Sequence, residues 1–165
     1  MSVHDPMALT ERPGFMSSYL ESLELVERLH RLLLDVIKDE FERLNILDIN
    51  AVQGLLLFNI GTNEVTAGEL KTRGYDQGSN VSYNLKKLVE AGYMHHQRSE
   101  IDRRSVRVRL IEKGTAVYDV VGDLFARQAE TLQRRGVLGM DGVQEINVAL
   151  KRMERFWADQ IRYIY

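Results

Sequence analysis

A chain of 165 residues with 44% hydrophobic and 28% charged positions lies in the globular range and has the length of one ordinary domain, or of a small domain with an added oligomerisation element. It contains no cysteine and two prolines, which excludes disulfides, thiolate metal sites, cysteine nucleophiles and thiol redox sensing, and favours long helices over a turn-rich β fold. The formal net charge is −2, but 71–109 holds nine basic residues against four acidic ones, a local +5 inside a remainder of −7; that asymmetry suits one face turned to a polyanion and another that repels it.

In chain order, 1–14 carries Pro6, Pro13 and Gly14 without periodicity and reads as an irregular arm. From 15 to 44 there is no Pro or Gly, and Leu20, Leu23, Val26, Leu29, Leu33, Val36, Ile37, Phe41 and Leu44 recur at three- and four-residue steps. The spacing predicts an amphipathic helix of about 30 residues, roughly 45 Å long, more than a small domain covers by itself, so part of it is expected to pack on another subunit. Asn50-Ala-Val-Gln53 is a capping box opening a short helix through Val52, Leu55, Leu56 and Phe58 that closes near Gly61. Thr66-Ala-Gly-Glu69 is a second one, and Ser79 or Asp76 caps a third helix with Val81, Leu85, Leu88 and Val89, ending at Gly92. Three short helices with tight turns make a helix-turn-helix core.

The period then falls from 3.6 to 2. Tyr93-Met-His-His-Gln-Arg98 and Ser105-Val-Arg-Val-Arg-Leu110 flank a charged tip, with Val106, Val108 and Leu110 on one side and Arg107 and Arg109 on the other. This is a two-stranded hairpin, a wing. A helix follows over 112–135, and another over 141–161, capped by Asp141-Gly-Val-Gln144 and striped by Val143, Ile146, Leu150, Met153 and Trp157. No apolar run approaches bilayer length and no secretory leader is visible, so a cytoplasmic protein without membrane contact is expected.

Asn50-Ala-Val-Gln53, Thr66-Ala-Gly-Glu-Leu70, Ser79-Asn-Val-Ser82, Leu88-Val-Glu-Ala-Gly-Tyr93 and Asp102-Arg-Arg104 followed by Val-Arg-Leu110 together resemble the MarR family of winged-helix regulators. The likeness covers nearly the whole chain, and its most specific piece is Asp-x-Arg at the wing, followed by alternating residues, Leu, and Glu-Lys-Gly. Gly78-Ser-Asn-Val-Ser-Tyr-Asn84 is similar to the alphaproteobacterial L,D-transpeptidase regulator subgroup. The resemblance implies a mainly α fold with a two- or three-stranded wing. It divides the chain into an arm and long dimerisation helix at 1–45, a winged helix-turn-helix at 46–111 and C-terminal dimerisation helices at 112–165. It further implies an obligate homodimer, a helix in the major groove, a wing in the minor groove, and a small aromatic or apolar effector. Two departures stand out. Ile111 occupies the place of a capping Thr, so the next helix is expected to fray or shift at its start. Tyr83 and Asn84 replace the Arg and aliphatic residue of many members, so no known operator sequence transfers.

On the third short helix Ser79, Asn80, Ser82, Tyr83, Asn84, Lys86 and Lys87 are expected at DNA: Asn pairs bidentately with adenine, Ser bonds phosphate or base, and Lys neutralises phosphate. Arg98, Arg103 and Arg104 supply the wing, where arginine gains from a narrow minor groove, and Asp102 is expected to hold Arg104 in position. The effector pocket that the resemblance implies between the first helix, the DNA-binding core and the fifth helix has Phe15, Tyr19, Phe58, Tyr118 and Phe125 as candidate lining. His95 and His96 are strand neighbours on opposite faces and cannot chelate one ion; no metal site, cofactor or catalytic constellation is expected. The reading is a repressor that occludes an inverted-repeat promoter site. Its rival is a winged-helix module that docks an acidic protein and does not bind DNA.

Overall fold

A computed structural model describes the backbone of residues 14–72, 78–98 and 106–164. Helix α1 spans Phe15–Arg43, α2 Ala51–Ile60, strand β1 Val65–Thr66, α3 Ala67–Thr72, α4 Gly78–Glu90, β2 Met94–Arg98, β3 Val106–Leu110, α5 Glu112–Arg134 and α6 Met140–Ile164. The chain forms two compact units, Met1–Gly122 and Asp123–Tyr165. The division falls inside α5, whose first half buries Val117 and Val121 in the core of the first unit.

Within the first unit α1 buries only its C-terminal end, at Ile37, Glu40 and Phe41. Glu40 tolerates burial because the Arg43 guanidinium donates to both its carboxylate oxygens, at 2.7 and 3.1 Å. The helix stops at Asn45, which takes the left-handed conformation (φ 58°); Ile46 N–H then reaches the Phe41 carbonyl at 2.8 Å and Asn45 N–H reaches that of Glu42 at 3.2 Å. That is a Schellman termination with Asn where Gly is usual. Both expected capping boxes form. Gln53 N–H donates to Asn50 Oδ1 at 2.8 Å and Asn50 N–H to Gln53 Oε1 at 3.0 Å; Glu69 N–H and Thr66 Oγ1, and Thr66 N–H and Glu69 Oε2, meet at 3.1 Å. Val52, expected on the core stripe of α2, is 39% exposed. The helix instead presses Gly54 against α1, so closely that a Cβ there would lie 2.3 Å from Phe41 Cζ.

The sheet has three antiparallel strands in the order β1-β3-β2, with Val65 opposite Val108, Met94 opposite Leu110 and Arg98 opposite Val106. The short β1 is the strand that hydrophobic alternation over the hairpin alone did not show. Ile37, Phe41, Leu57, Ile60, Leu70, Val81, Leu88, Tyr93, Met94, Val108 and Val121 form the core.

α5 starts at Glu112, where the sequence put it: Thr115 N–H bonds the Ile111 carbonyl at 2.9 Å, and Lys113 in its first turn donates to two acceptors. In the second unit α6 begins one residue earlier than expected, with Val143 N–H on the Gly139 carbonyl at 3.1 Å. Asp141 therefore stands in the first turn, where a carboxylate favours the positive end of the helix dipole, and is not the N-cap. No described residue of α6 is buried; Val143, Ile146, Leu150, Trp157 and Ile161 are all at least 40% exposed.

Candidate nucleic-acid interface

The first unit presents one helix with sharply divided faces. On α4, Val81, Leu85 and Leu88 turn into the core, while Asn80, Ser82, Tyr83, Lys86 and Lys87 lie outside. Lys87 Nζ stands 5.6 Å from the centre of the Tyr83 ring and 3.9 Å from Glu90, so one cation and one aromatic share a ridge. Asn84 does not face outward. Expected among the DNA contacts, it is 7% exposed and accepts a hydrogen bond at Oδ1 from Gln53 Nε2 at 3.3 Å. At 3.6 residues per turn it falls on the same side as Val81 and Leu88, and Gln53 offers it a polar partner there. The Ser79 side chain lies outside the described residues.

Beside α4 stands the wing. Arg98 is exposed at the end of β2. Asp102, Arg103 and Arg104, the expected wing tip, lie outside the described residues. The pairing of β2 with β3 sets His95 opposite Arg109 and Gln97 opposite Arg107, and directly opposed residues share a face. All four are exposed, so this face is basic and carries no acid among the described residues. Arg107 and Arg109 were absent from the expected DNA set, although the Val-Arg-Val-Arg alternation already placed them away from the core. His95 and His96 take opposite faces, and no group of three or more metal-ligating side chains occurs among the described residues.

A polar clamp fixes the base of the wing. Tyr93 Oη donates to Asp48 Oδ1 at 2.5 Å; Lys113 Nζ donates to Asp48 Oδ2 at 2.7 Å and to the Ala91 carbonyl at 3.2 Å, and lies 4.3 Å from the centre of the Tyr93 ring. It ties the loop after α1, the end of α4, the start of β2 and the first turn of α5 together. The Lys113 ammonium, and then the Tyr93 hydroxyl, hold the Asp48 carboxyl below its ordinary range. Burial, and then the hydrogen bond donated to Asp48 and the charge of that carboxylate, push the Tyr93 phenol well above its own. Gly92 completes the joint. It turns the chain with φ 83° and lets Tyr93 N–H bond the Leu88 carbonyl at 2.9 Å.

Phe15 and Tyr19 stack at 6.2 Å near the start of α1, where Phe15 is 86% exposed. Phe58 and Tyr118 stack at 5.4 Å in the first unit, and Phe125 belongs to the second. A cleft of about 720 Å³ opens elsewhere, between Ser82, Leu85 and Val89 of α4 and His96, Val106 and Val108 of the sheet.

A helix with a polar outer face, set against a basic two-stranded wing, defines a winged-helix DNA-binding protein. Residues 49–114 match the family model of the winged helix DNA-binding domain. Over 146 residues the chain is 32% identical to the exopolysaccharide II synthesis transcriptional activator ExpG of Rhizobium meliloti (strain 1021), covering 88% of this chain and 75% of that one. Streptococcus pneumoniae FabT in complex with DNA shares the fold at 20% identity, with a TM-score of 0.67 over 86% of this chain and 99% of that chain. A mutant MarR from E. coli complexed with operator DNA does so at 20% identity, with a TM-score of 0.65 over 85% and 98%. The chain belongs to the MarR family of winged-helix transcriptional regulators and is a DNA-binding regulator of transcription. These likenesses define the family and not a subgroup within it. No helix among the described residues is long and apolar enough to cross a membrane.

Proposed function

We propose that the protein is a cytoplasmic homodimer that reads an inverted-repeat operator with α4 and the wing and represses by covering the promoter. The observation that carries this reading is the outward set Asn80, Ser82, Tyr83, Lys86 and Lys87 beside the basic wing. The amide and the hydroxyls supply base and phosphate contacts, and the lysines bind phosphate. Arg98 extends the set along β2, and Asp102, Arg103 and Arg104 are assigned to the minor groove. Dimerisation is supported by uncovered apolar side chains. Leu25, Val26, Leu29 and Leu32 of α1 are 45–63% exposed and Val143, Ile146, Leu150, Trp157 and Ile161 of α6 are 40–54% exposed, and runs of open apolar side chains of this kind mark surfaces that a partner covers. The relative ExpG is named an activator; the sign of regulation follows from where the operator lies, and occlusion is the direct consequence of binding.

For the effector we infer a small, mostly apolar molecule. The Phe58–Tyr118 stack offers it an aromatic wall. The cleft behind α4 offers it contact with the helix itself, so that occupancy would couple directly to DNA binding.

Selection from random double-stranded oligonucleotides tests the reading. It should enrich an inverted repeat with half-sites about one turn, roughly 34 Å, apart, bound by a species that sediments as a dimer. No enriched sequence together with no salt-dependent retention on heparin would instead support docking to an acidic protein, and a monomer would remove the dimer.

A further inference from the structure

Asn84 stands at the middle of α4, a polar residue on a stripe otherwise made of Val81, Leu85 and Leu88, and it is 7% exposed. Its partner Gln53, 8% exposed, is engaged at both ends: Nε2 donates to Asn84 Oδ1 at 3.3 Å, while Oε1 accepts from Asn50 N–H at 3.0 Å. A continuous polar link therefore runs from the cap of α2 to the centre of α4. We propose that Gln53 and Asn84 are a positioning pair that sets the rotation of α4 about its own axis, and thereby which bases Asn80 and Tyr83 reach. The proposal rests on the reading of α4 as the DNA-reading helix.

Burial of Val81, Leu85 and Leu88 is favourable over a range of helix rotations, because the hydrophobic effect has no preferred direction. A hydrogen bond weakens steeply once bent or stretched. Side-chain tips lie about 6 Å from a helix axis, so a rotation of about 30° moves them about 3 Å, close to one base-pair step. The same rotation would carry Asn84 Oδ1 beyond the reach of Gln53 and break that buried hydrogen bond, which is costly. The polar pair thus selects one rotational setting among several that the apolar stripe accepts. Both side chains are neutral, so they add nothing to phosphate attraction. Their effect belongs to discrimination between sequences and not to the salt dependence of binding.

The experiment uses the full chain and two DNA probes, the fragment enriched from random double-stranded oligonucleotides and an unrelated fragment of equal length. Asn84→Leu, close in size, removes the acceptor. It should lower the ratio of enriched to unrelated affinity by about tenfold or more, leave the slope of log affinity against log salt unchanged, and keep the helical circular dichroism. Asn84→Asp retains an acceptor and should recover most of the ratio. If Asn84→Leu does not fold, Asn84→Ala carries the test, since it removes the acceptor with the least steric demand. An unchanged ratio in the folded variant would overturn the proposal. So would an equal loss on both probes that Asn84→Asp fails to rescue, because that is the signature of a merely structural residue. If the unaltered protein enriches no sequence, the reading of α4 itself fails, and this inference with it.

Discussion

Two glycines of α5 should respond to alanine with opposite signs. A Cβ at Gly114 would lie 2.2 Å from the Tyr93 carbonyl oxygen, a backbone atom that already accepts from Ile111 N–H at 3.2 Å. Neither side can yield by rotating a side chain, so the two backbones must part by about 1 Å, an overpacking cost of about 2–3 kcal/mol. Stretching the Ile111 hydrogen bond adds about 1 kcal/mol, and the better helix propensity of Ala returns about 1 kcal/mol. The net loss is about 2 kcal/mol or more, a fall in thermal midpoint of about 4–8 °C for a chain of this size. At Gly122 the nearest atom to an added Cβ is Phe58 Cε2 at 3.6 Å, an ordinary contact. There only the propensity gain survives, and Gly122→Ala should raise the midpoint by about 1–4 °C. Thermal unfolding of both variants at one fixed protein concentration is the assay, since association shifts the midpoint by mass action. A Gly114→Ala protein as stable as Gly122→Ala would refute the close approach of α5 to the α4–β2 turn.

The clamp predicts a pH dependence. The Asp48 carboxyl is held below its ordinary 3.8 in the folded chain, so its stabilisation is full above that value and is lost as pH falls through the lower folded value. The difference in unfolding free energy between the unaltered protein and Asp48→Asn should be constant near neutrality and close below about pH 4; because Asp48 and Lys113 are each about half exposed, it should not exceed about 1 kcal/mol. At the wing, Arg103→Ala should weaken enriched and unrelated DNA alike and reduce the salt slope by about 1. Asp102→Ala should also weaken binding, although it removes a negative charge; tighter binding would show that the acid repels DNA and does not hold Arg104.

Much of this protein is local and so was legible along the chain. The 15–44 periodicity, the two capping boxes and the wing alternation depend on residues within one or two turns of each other, and α1, α2, α3 and β3 formed where those patterns put them. The same holds for the cationic ridge of α4, whose 3.6-residue spacing separates Lys86 and Lys87 from Val81 and Leu88. Tertiary structure decided what depends on partners distant in sequence. Asn84 reads as a solvent-facing DNA contact until α2 brings Gln53, 31 residues away, within 3.3 Å. The uncapped start at Ile111 reads as frayed until Asp48, 65 residues away from Lys113, anchors the side chain of that first-turn lysine. β1 is too short to show a period of two and exists through its ladder with Val108 and Arg107. Gly114 looks like an ordinary helix weakness until the Tyr93 carbonyl occupies the space of a Cβ. A buried polar atom takes whatever partner the fold delivers to it, and periodicity along the chain carries no information about which residue that will be.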